Sequence, residues 1–160
     1  MFLTEISEGS WNGILRVQEE AYTDVPPEDV NVLKSKWNSS PETCFIFQSE
    51  NKNILGYLLA HSWNSDEPPK LFEELPKGSF GTILYLHDLA VSKSSMGMGV
   101  GKQLANKLLD TARSRGFKKV LLVAVQGSEG FWSSLGFSEI LNVPVCSSYG
   151  NNAKLMHWNV

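Results

Sequence analysis

Residues 82–116 constrain this chain more than any other stretch, because they pass from an apolar run through three alternate glycines into an amphipathic repeat. The run Thr82-Ile83-Leu84-Tyr85-Leu86-His87-Asp88-Leu89-Ala90-Val91 is almost continuously apolar, which predicts a central strand buried on both faces with two ionisable residues near its end. Met96-Gly97-Met98-Gly99-Val100-Gly101-Lys102-Gln103-Leu104 follows. Beyond it Val100, Leu104, Ala105, Leu108, Leu109 and Ala112 recur at helical spacing, and Arg113, Arg115 and Gly116 supply a cationic last turn and a stop. A strand, a glycine loop and a helix start gather unpaired backbone N–H groups and a favourable dipole at one point. The unit therefore predicts a phosphate site.

The chain has 160 residues with 42% hydrophobic content, enough for one domain with a real core and too little for two generous ones. A net charge of -3 with scattered basic residues gives no case for nucleic acid or an anionic membrane as a partner. No apolar stretch approaches the roughly 20 residues of a membrane span, and Met1-Phe2-Leu3-Thr4-Glu5 lacks the regions of a signal peptide. A soluble cytoplasmic protein is expected. Cys44 and Cys146 have no close spacing and no histidine nearby, so neither a metal site nor a disulfide is expected, and Cys44 is assigned to a strand.

The remaining patterns predict a strand at 2–6, a helix at 11–22, and a second helix opened by Pro26-Pro27-Glu28-Asp29 and stopped at Asn38-Ser39-Ser40-Pro41. Strands at 44–48 and 54–63 form a hairpin across residues 49–53. Residues 64–81 carry Asp66, Glu67, Glu73, Glu74 and three prolines, and form a surface excursion. A β-branched run at 119–125, a short helix at 128–135, and strands at 143–145 and 154–158 that pair with each other complete the order. There are no repeats and no low-complexity tract.

The strand ending Leu89-Ala90-Val91, the Gly97-x-Gly99-x-Gly101 loop with its helix, the next strand, and Phe131-Trp132-x-x-Leu135-Gly136-Phe137 resemble the GNAT superfamily of N-acetyltransferases. The phrase Val123-Ala124-Val125-Gln126-Gly127-Ser128 followed by Phe131-Trp132 resembles a poorly characterised bacterial subgroup of it. The resemblance covers about residues 80 to 140, and the element order agrees elsewhere. It implies an α/β (α+β) fold: a central mixed, mostly antiparallel twisted sheet of six to seven strands, splayed between the fourth and fifth, with about four helices.

The resemblance also implies acetyl-CoA as co-substrate, without a metal. Its pyrophosphate would lie on the backbone of Met96, Gly97, Met98, Gly99, Val100, Gly101 and Lys102, where glycine removes side chains that would hold phosphate away. The pantetheine arm would add like a strand along Leu89, Ala90 and Val91, with Gln126, Phe131 and Trp132 beside it. Two departures stand out. Ser94 and Met96 occupy loop positions where relatives often carry Gln or Arg. Trp132 replaces a tyrosine that protonates the leaving thiolate in many members, and an indole N–H has no accessible acid–base chemistry.

Attack on a thioester needs a neutral amine, a base and an oxyanion donor. Strict alternation puts Tyr85, His87 and Leu89 on one face of the strand and Leu86, Asp88 and Ala90 on the other. His87 is either the base, through a neutral imidazole nitrogen, or a satisfied core histidine. Tyr85 could hold a water in line with it or act as the missing acid. The Leu89 N–H is the expected oxyanion donor. Asp88 points at a helix layer, Trp11, Trp37 and Trp63 are core or pocket wall, Ser128 is a helix cap or a cofactor contact, and His61 and His157 lack metal spacing.

The acidic excursion and the loop near Tyr149 would overhang the acceptor side and suit a cationic amine. The acceptor is then an amine of a small molecule or peptide, and a homodimer is left open. The alternative is an acetyl-CoA-binding regulatory module with little or no turnover. A P-loop nucleotide enzyme is excluded, because Lys102 is not followed by Ser or Thr and the glycine spacing is wrong.

Overall fold

The computed structural model describes residues 2–23 and 26–160. In chain order the elements are β1 (Phe2–Glu5), α1 (Trp11–Ala21), α2 (Val30–Ser39), β2 (Phe45–Gln48), β3 (Ile54–Trp63), β4 (Ile83–Val91), α3 (Val100–Ser114), β5 (Lys119–Ala124), α4 (Glu129–Ser134), β6 (Ser138–Glu139) and β7 (Lys154–Asn159). The seven strands form one sheet in the order β1-β2-β3-β4-β5-β7-β6. All neighbours are antiparallel except β4 and β5, which the α3 crossover makes parallel. No helix of the described residues is long and apolar enough to cross a membrane.

Helical periodicity dictates the two layers. The stripe Val100, Leu104, Ala105, Leu108, Leu109 and Ala112 of α3 is buried against Leu58 and Ala60 of β3, Leu84 and Leu86 of β4, and Val120 and Leu122 of β5. On the other face Trp11, Ile14 and Val17 of α1 and Leu33 of α2 close over Tyr57 and Leu59. Asp29 caps α2 by accepting the Asn31 N–H at 3.4 Å, so Pro26 and Pro27 lie in the approach to the helix rather than in its first turn.

Two expectations are corrected. Residues 143–145 form no strand, because Pro144 has no N–H for a ladder. Val143 and Val145 instead pack against the cluster of Trp63, Ile83, Tyr85, Leu121 and Leu155, while the short β6 pairs with β7. Cys44 stands one residue before β2, since its N–H closes the preceding turn on the Pro41 carbonyl at 3.3 Å. Both cysteines are free.

The register of β3 against β4 slips once: Leu59 faces Asp88 and Ala60 faces Leu86, so His87 is the extra residue of a bulge. The bulge breaks the strict alternation expected of this strand. Leu84, Leu86, Leu89 and Val91 lie on the α3 side, whereas Tyr85, Asp88 and Ala90 lie on the α1 side. The ladder between β4 and β5 also ends early, at Leu86 opposite Leu122. Beyond it β4 continues with β3 to Val91 and β5 continues with β7 to Ala124, and the sheet splays.

Residues 64–81 form a strap tied to groups below it rather than a loose loop. Trp63 Nε1 donates to the Glu67 carbonyl at 2.8 Å, and the Tyr149 hydroxyl donates to the Pro69 carbonyl. The Leu75 N–H reaches Ser35 Oγ at 3.1 Å, and the fully buried Lys36 ammonium donates to the Glu73 carbonyl at 2.8 Å. Burial lowers the Lys36 pKa, an effect opposed by the charges of Glu28, Glu74 and Glu73.

Candidate active site

The splay opens a cleft of about 580 Å³, walled by Leu86–Val91 of β4 on one side and by Leu122, Val123, Val125 and the α4 residues Phe131 and Trp132 on the other. One wall is a main-chain edge. The Ser92 N–H bonds the Leu55 carbonyl at 2.8 Å, which makes that pair hydrogen-bonded across β3 and β4. Antiparallel alternation then turns the N–H and C=O of Leu89 and Val91 away from β3, into the gap that β5 has left.

At the mouth, Gly97 and Gly99 hold φ angles of 81° and 79°, the left-handed region in which a Cβ is penalised. Gly99 is the N-cap of α3 and brings no side-chain cap, so the first helical N–H groups at Val100, Gly101 and Lys102 lack intrahelical carbonyl partners. A Cβ at either glycine would meet nothing within 4 Å, so the surface above the loop is open. Gly99→Ala is expected to cost about 1–2 kcal/mol through its φ alone. Thermal unfolding should show a Tm lower by a few degrees.

The inner end is polar and buried. His87 Nε2 meets Glu28 Oε1 at 2.6 Å, with side-chain exposures of only 1% and 8%. His87 Nδ1 has no partner among the described residues. Glu28 is clamped from several directions. Its Oε2 accepts the Phe72 N–H at 2.9 Å, its own N–H donates to Gln18 Oε1 at 3.0 Å, and Gln18 Nε2 donates to its carbonyl at 3.4 Å. Phe72 takes a φ of 67° to deliver that N–H, an unusual conformation for an aromatic residue. Burial raises the Glu28 pKa, but the His87 hydrogen bond and charge, the Phe72 N–H and Lys36 together leave it below the usual carboxylate value. Asp88 receives the hydroxyls of Tyr22 and Tyr57 on its two oxygens, and Tyr22 also lies 3.2 Å from the Leu89 carbonyl. Burial pushes Asp88 up to about 6, against the lowering effects of His87 and the two hydroxyls.

A parallel pair splayed around a main-chain edge, with a glycine loop at the mouth, is a family architecture, and residues 11–137 match the Acetyltransferase (GNAT) family. This chain is a GNAT protein. Comparison with curated proteins finds no sequence match. Three solved structures share the fold at low identity. The GphF GNAT-like decarboxylase in complex with isobutyryl-CoA has a TM-score of 0.84 and 14% identity, with 99% of each chain covered. Ard1 from Thermoplasma volcanium has a TM-score of 0.77 and 16% identity over 99% of this chain and 97% of its own. Naa20 from Chaetomium thermophilum, in complex with a bisubstrate analogue, has a TM-score of 0.71 and 14% identity over 99% of this chain and 86% of its own.

Within this GNAT sheet the residues anticipated from sequence separate into three groups. His87, Leu89, Ala90, Val91, Met96, Gly101, Gln126, Phe131 and Trp132 line the cleft. Gly97, Met98 and Gly99 lie on the loop beside it and Val100 and Lys102 in the first turn of α3, all outside its walls. Tyr85 is not in the wall. It is 1% exposed in the cluster of Trp63, Leu121 and Leu155, and its hydroxyl lies 3.3 Å from that of Tyr149, which does line the cleft. The bulge at His87 is the reason, because it separates Tyr85 from the residues that turn into the gap.

Other positions also resolve. Gln126 closes the cleft against the end of α1, donating to the Ala21 carbonyl at 2.9 Å and accepting the Thr23 N–H at 3.0 Å. Ser128 stands at the N-cap of α4 but makes no side-chain cap bond. Asp88 accepts the hydroxyls of Tyr22 and Tyr57. His61 is buried with Nδ1 3.0 Å from the Ser62 carbonyl, and burial lowers its pKa to about 3. Glu28, Tyr22 and Tyr57 carry no signal in the sequence that marks them as site residues. Glu28 reads there only as a carboxylate before a helix, and nothing local joins it to a histidine 59 positions away.

Proposed function

We propose that this GNAT protein transfers the acetyl group of acetyl-CoA to a primary amine of a small molecule or peptide, by direct attack in a ternary complex. The observation that carries the proposal is the early end of the β4–β5 ladder, which leaves the polar edge of Leu89 and Val91 facing a cleft with His87 beside it. A bound acetyl-CoA supplies an activated acyl carbon, and its polar arm suits that edge as an added strand would. Gly97, Gly99 and the start of α3 offer an open anion cradle for its pyrophosphate. The Leu89 N–H donates to the carbonyl oxygen as negative charge develops there. His87 accepts the amine proton through Nδ1, directly or through water, while Glu28 fixes the ring through Nε2.

The charges around the inner end favour a cationic acceptor. Glu28 and Asp88 face it, and Glu67, Glu73 and Glu74 lie on the strap above. The same carboxyls oppose decarboxylation of an acyl-CoA, which would bring a substrate carboxylate between them. The test is release of free thiol from acetyl-CoA across a panel of primary amines, with malonyl-CoA as a second donor. Acetyl-CoA at 100 times its Kd should stabilise the fold by about 2.7 kcal/mol. No thermal shift at millimolar acetyl-CoA would defeat the reading, and a shift without thiol release from any amine would point to a binding module.

A further inference from the structure

We propose that the acceptor is a small primary monoamine carrying an apolar chain, and that Leu71 of the strap selects it; the inference deepens the acetyl-transfer reading above and rests on it. Among the described residues the carboxylates that line the cleft are Glu20, Glu28 and Asp88, and each has both oxygens in use. Glu28 holds His87 at 2.6 Å and the Phe72 N–H at 2.9 Å, and Asp88 holds the hydroxyls of Tyr22 and Tyr57. Glu20 belongs to the glycine-loop end, where it holds Arg16 at 3.2 Å and the Lys93 N–H at 3.1 Å. The attacking nitrogen is neutral when it reacts, so it needs no counter-ion in the cleft. A second ammonium on the acceptor would have to displace a bond already made or lie there unpaired, a penalty that a methyl group in its place does not meet.

Apolar surface surrounds the pair at this end. Leu71 lines the cleft one residue before Phe72, and so stands beside the Glu28–His87 pair that the Phe72 N–H clamps. Pro26, two residues before Glu28, and Val123, on the strap side of β5, line the same end. So does Tyr149, whose hydroxyl is turned to the Pro69 carbonyl. A chain running from the attacking nitrogen toward the strap meets these groups and gains by leaving water. A peptide finds less to bind. The strap directs its polar main chain inward, with the Pro69 carbonyl on Tyr149, the Phe72 N–H on Glu28 and the Glu73 carbonyl on Lys36, so those groups are not offered to an added strand. Glu67, Glu73 and Glu74 of the strap are exposed, and they draw an ammonium toward the cleft without pairing with it inside.

The experiment measures kcat/KM for thiol release from acetyl-CoA with ethylamine, propylamine, butylamine and pentylamine, with putrescine, in which an ammonium replaces the terminal methyl of pentylamine, and with an unblocked alanine tripeptide. Along the alkyl series kcat/KM should rise by up to about fourfold per methylene. Pentylamine should exceed putrescine by about 10²-fold. Leu71→Ala should flatten the series, chiefly through KM. Leu71→Glu, which brings a carboxylate with uncommitted oxygens, should narrow the gap between pentylamine and putrescine by about tenfold. A flat wild-type series, parity of pentylamine and putrescine, or turnover confined to putrescine or the peptide overturns the acceptor class and leaves acetyl transfer standing; these comparisons need no variant. The wild-type preference retained in both Leu71 variants overturns the role of Leu71. Thiol release with none of the amines and not with the peptide would instead defeat the acetyl-transfer reading itself.

Discussion

His87→Gln is expected to lower kcat with acetyl-CoA and a primary amine by about 10²–10⁴-fold, the range in which a positioned proton-transfer group acts. Glutamine can still reach Glu28 with an amide N–H, so the buried carboxylate keeps a partner, but it cannot take up a proton. Binding of acetyl-CoA should be retained, because the pyrophosphate cradle and the Leu89–Val91 edge hold it through main-chain groups that the substitution leaves in place. Glu28→Gln should lower the rate by less, since it loosens the ring and the Phe72 N–H without removing the proton acceptor. A His87→Gln enzyme with the wild-type rate would make His87 a core residue that happens to face the gap.

The largest expected effect on stability belongs to Asp88. Its pKa rises from the ordinary 3.8 to about 6 in the folded chain, chiefly because burial disfavours the anion. Between those values the folded state holds a proton that the unfolded chain has released, so the unfolding free energy falls as pH increases. At 1.36 kcal/mol per pH unit the loss is about 3 kcal/mol, complete somewhat above pH 6. Glu28, lowered on folding, contributes with the opposite sign at lower pH, and the measurement must therefore be a difference. Asp88→Asn should gain on wild type by about 3 kcal/mol between pH 4 and 7, or roughly 6–12 °C in Tm for a chain of this size. Parallel stability curves for the two proteins would show that Tyr22 and Tyr57 compensate the buried charge fully.

The donor half of the site is legible in the chain because it is local. The apolar run of β4, the glycines and the α3 stripe occupy 33 consecutive positions, from Ile83 of β4 to Arg115 at the C-cap of α3, and each has its own periodicity. The inner end is not local. Glu28 and Tyr22 come from the connection between α1 and α2, which has no repeat to betray a face, and they meet β4 across 59 and 66 residues. The bulge at His87 is equally silent, since no glycine marks it and the run reads as regular. Alternation therefore placed Tyr85 beside His87 in the gap, whereas Tyr85 is buried behind it. In the strap the composition marks a charged surface segment, but the anchors Lys36, Ser35 and Tyr149 that hold it down come from elsewhere in the chain.

The extra residue in β4 makes the chemistry of this cleft depend on a count as well as on identities. Removing one position at the bulge would leave every downstream side chain unchanged in the sequence yet exchange its direction. Asp88 would turn toward Leu104 and Leu108, where no hydroxyl waits, and Leu89 would turn toward the two tyrosines. A homologue aligned to this strand without that insertion would keep the same letters and lose the contacts of Asp88 with Tyr22 and Tyr57, so comparisons across the family should be made by ladder partner, with Leu59 set opposite Asp88, rather than by column.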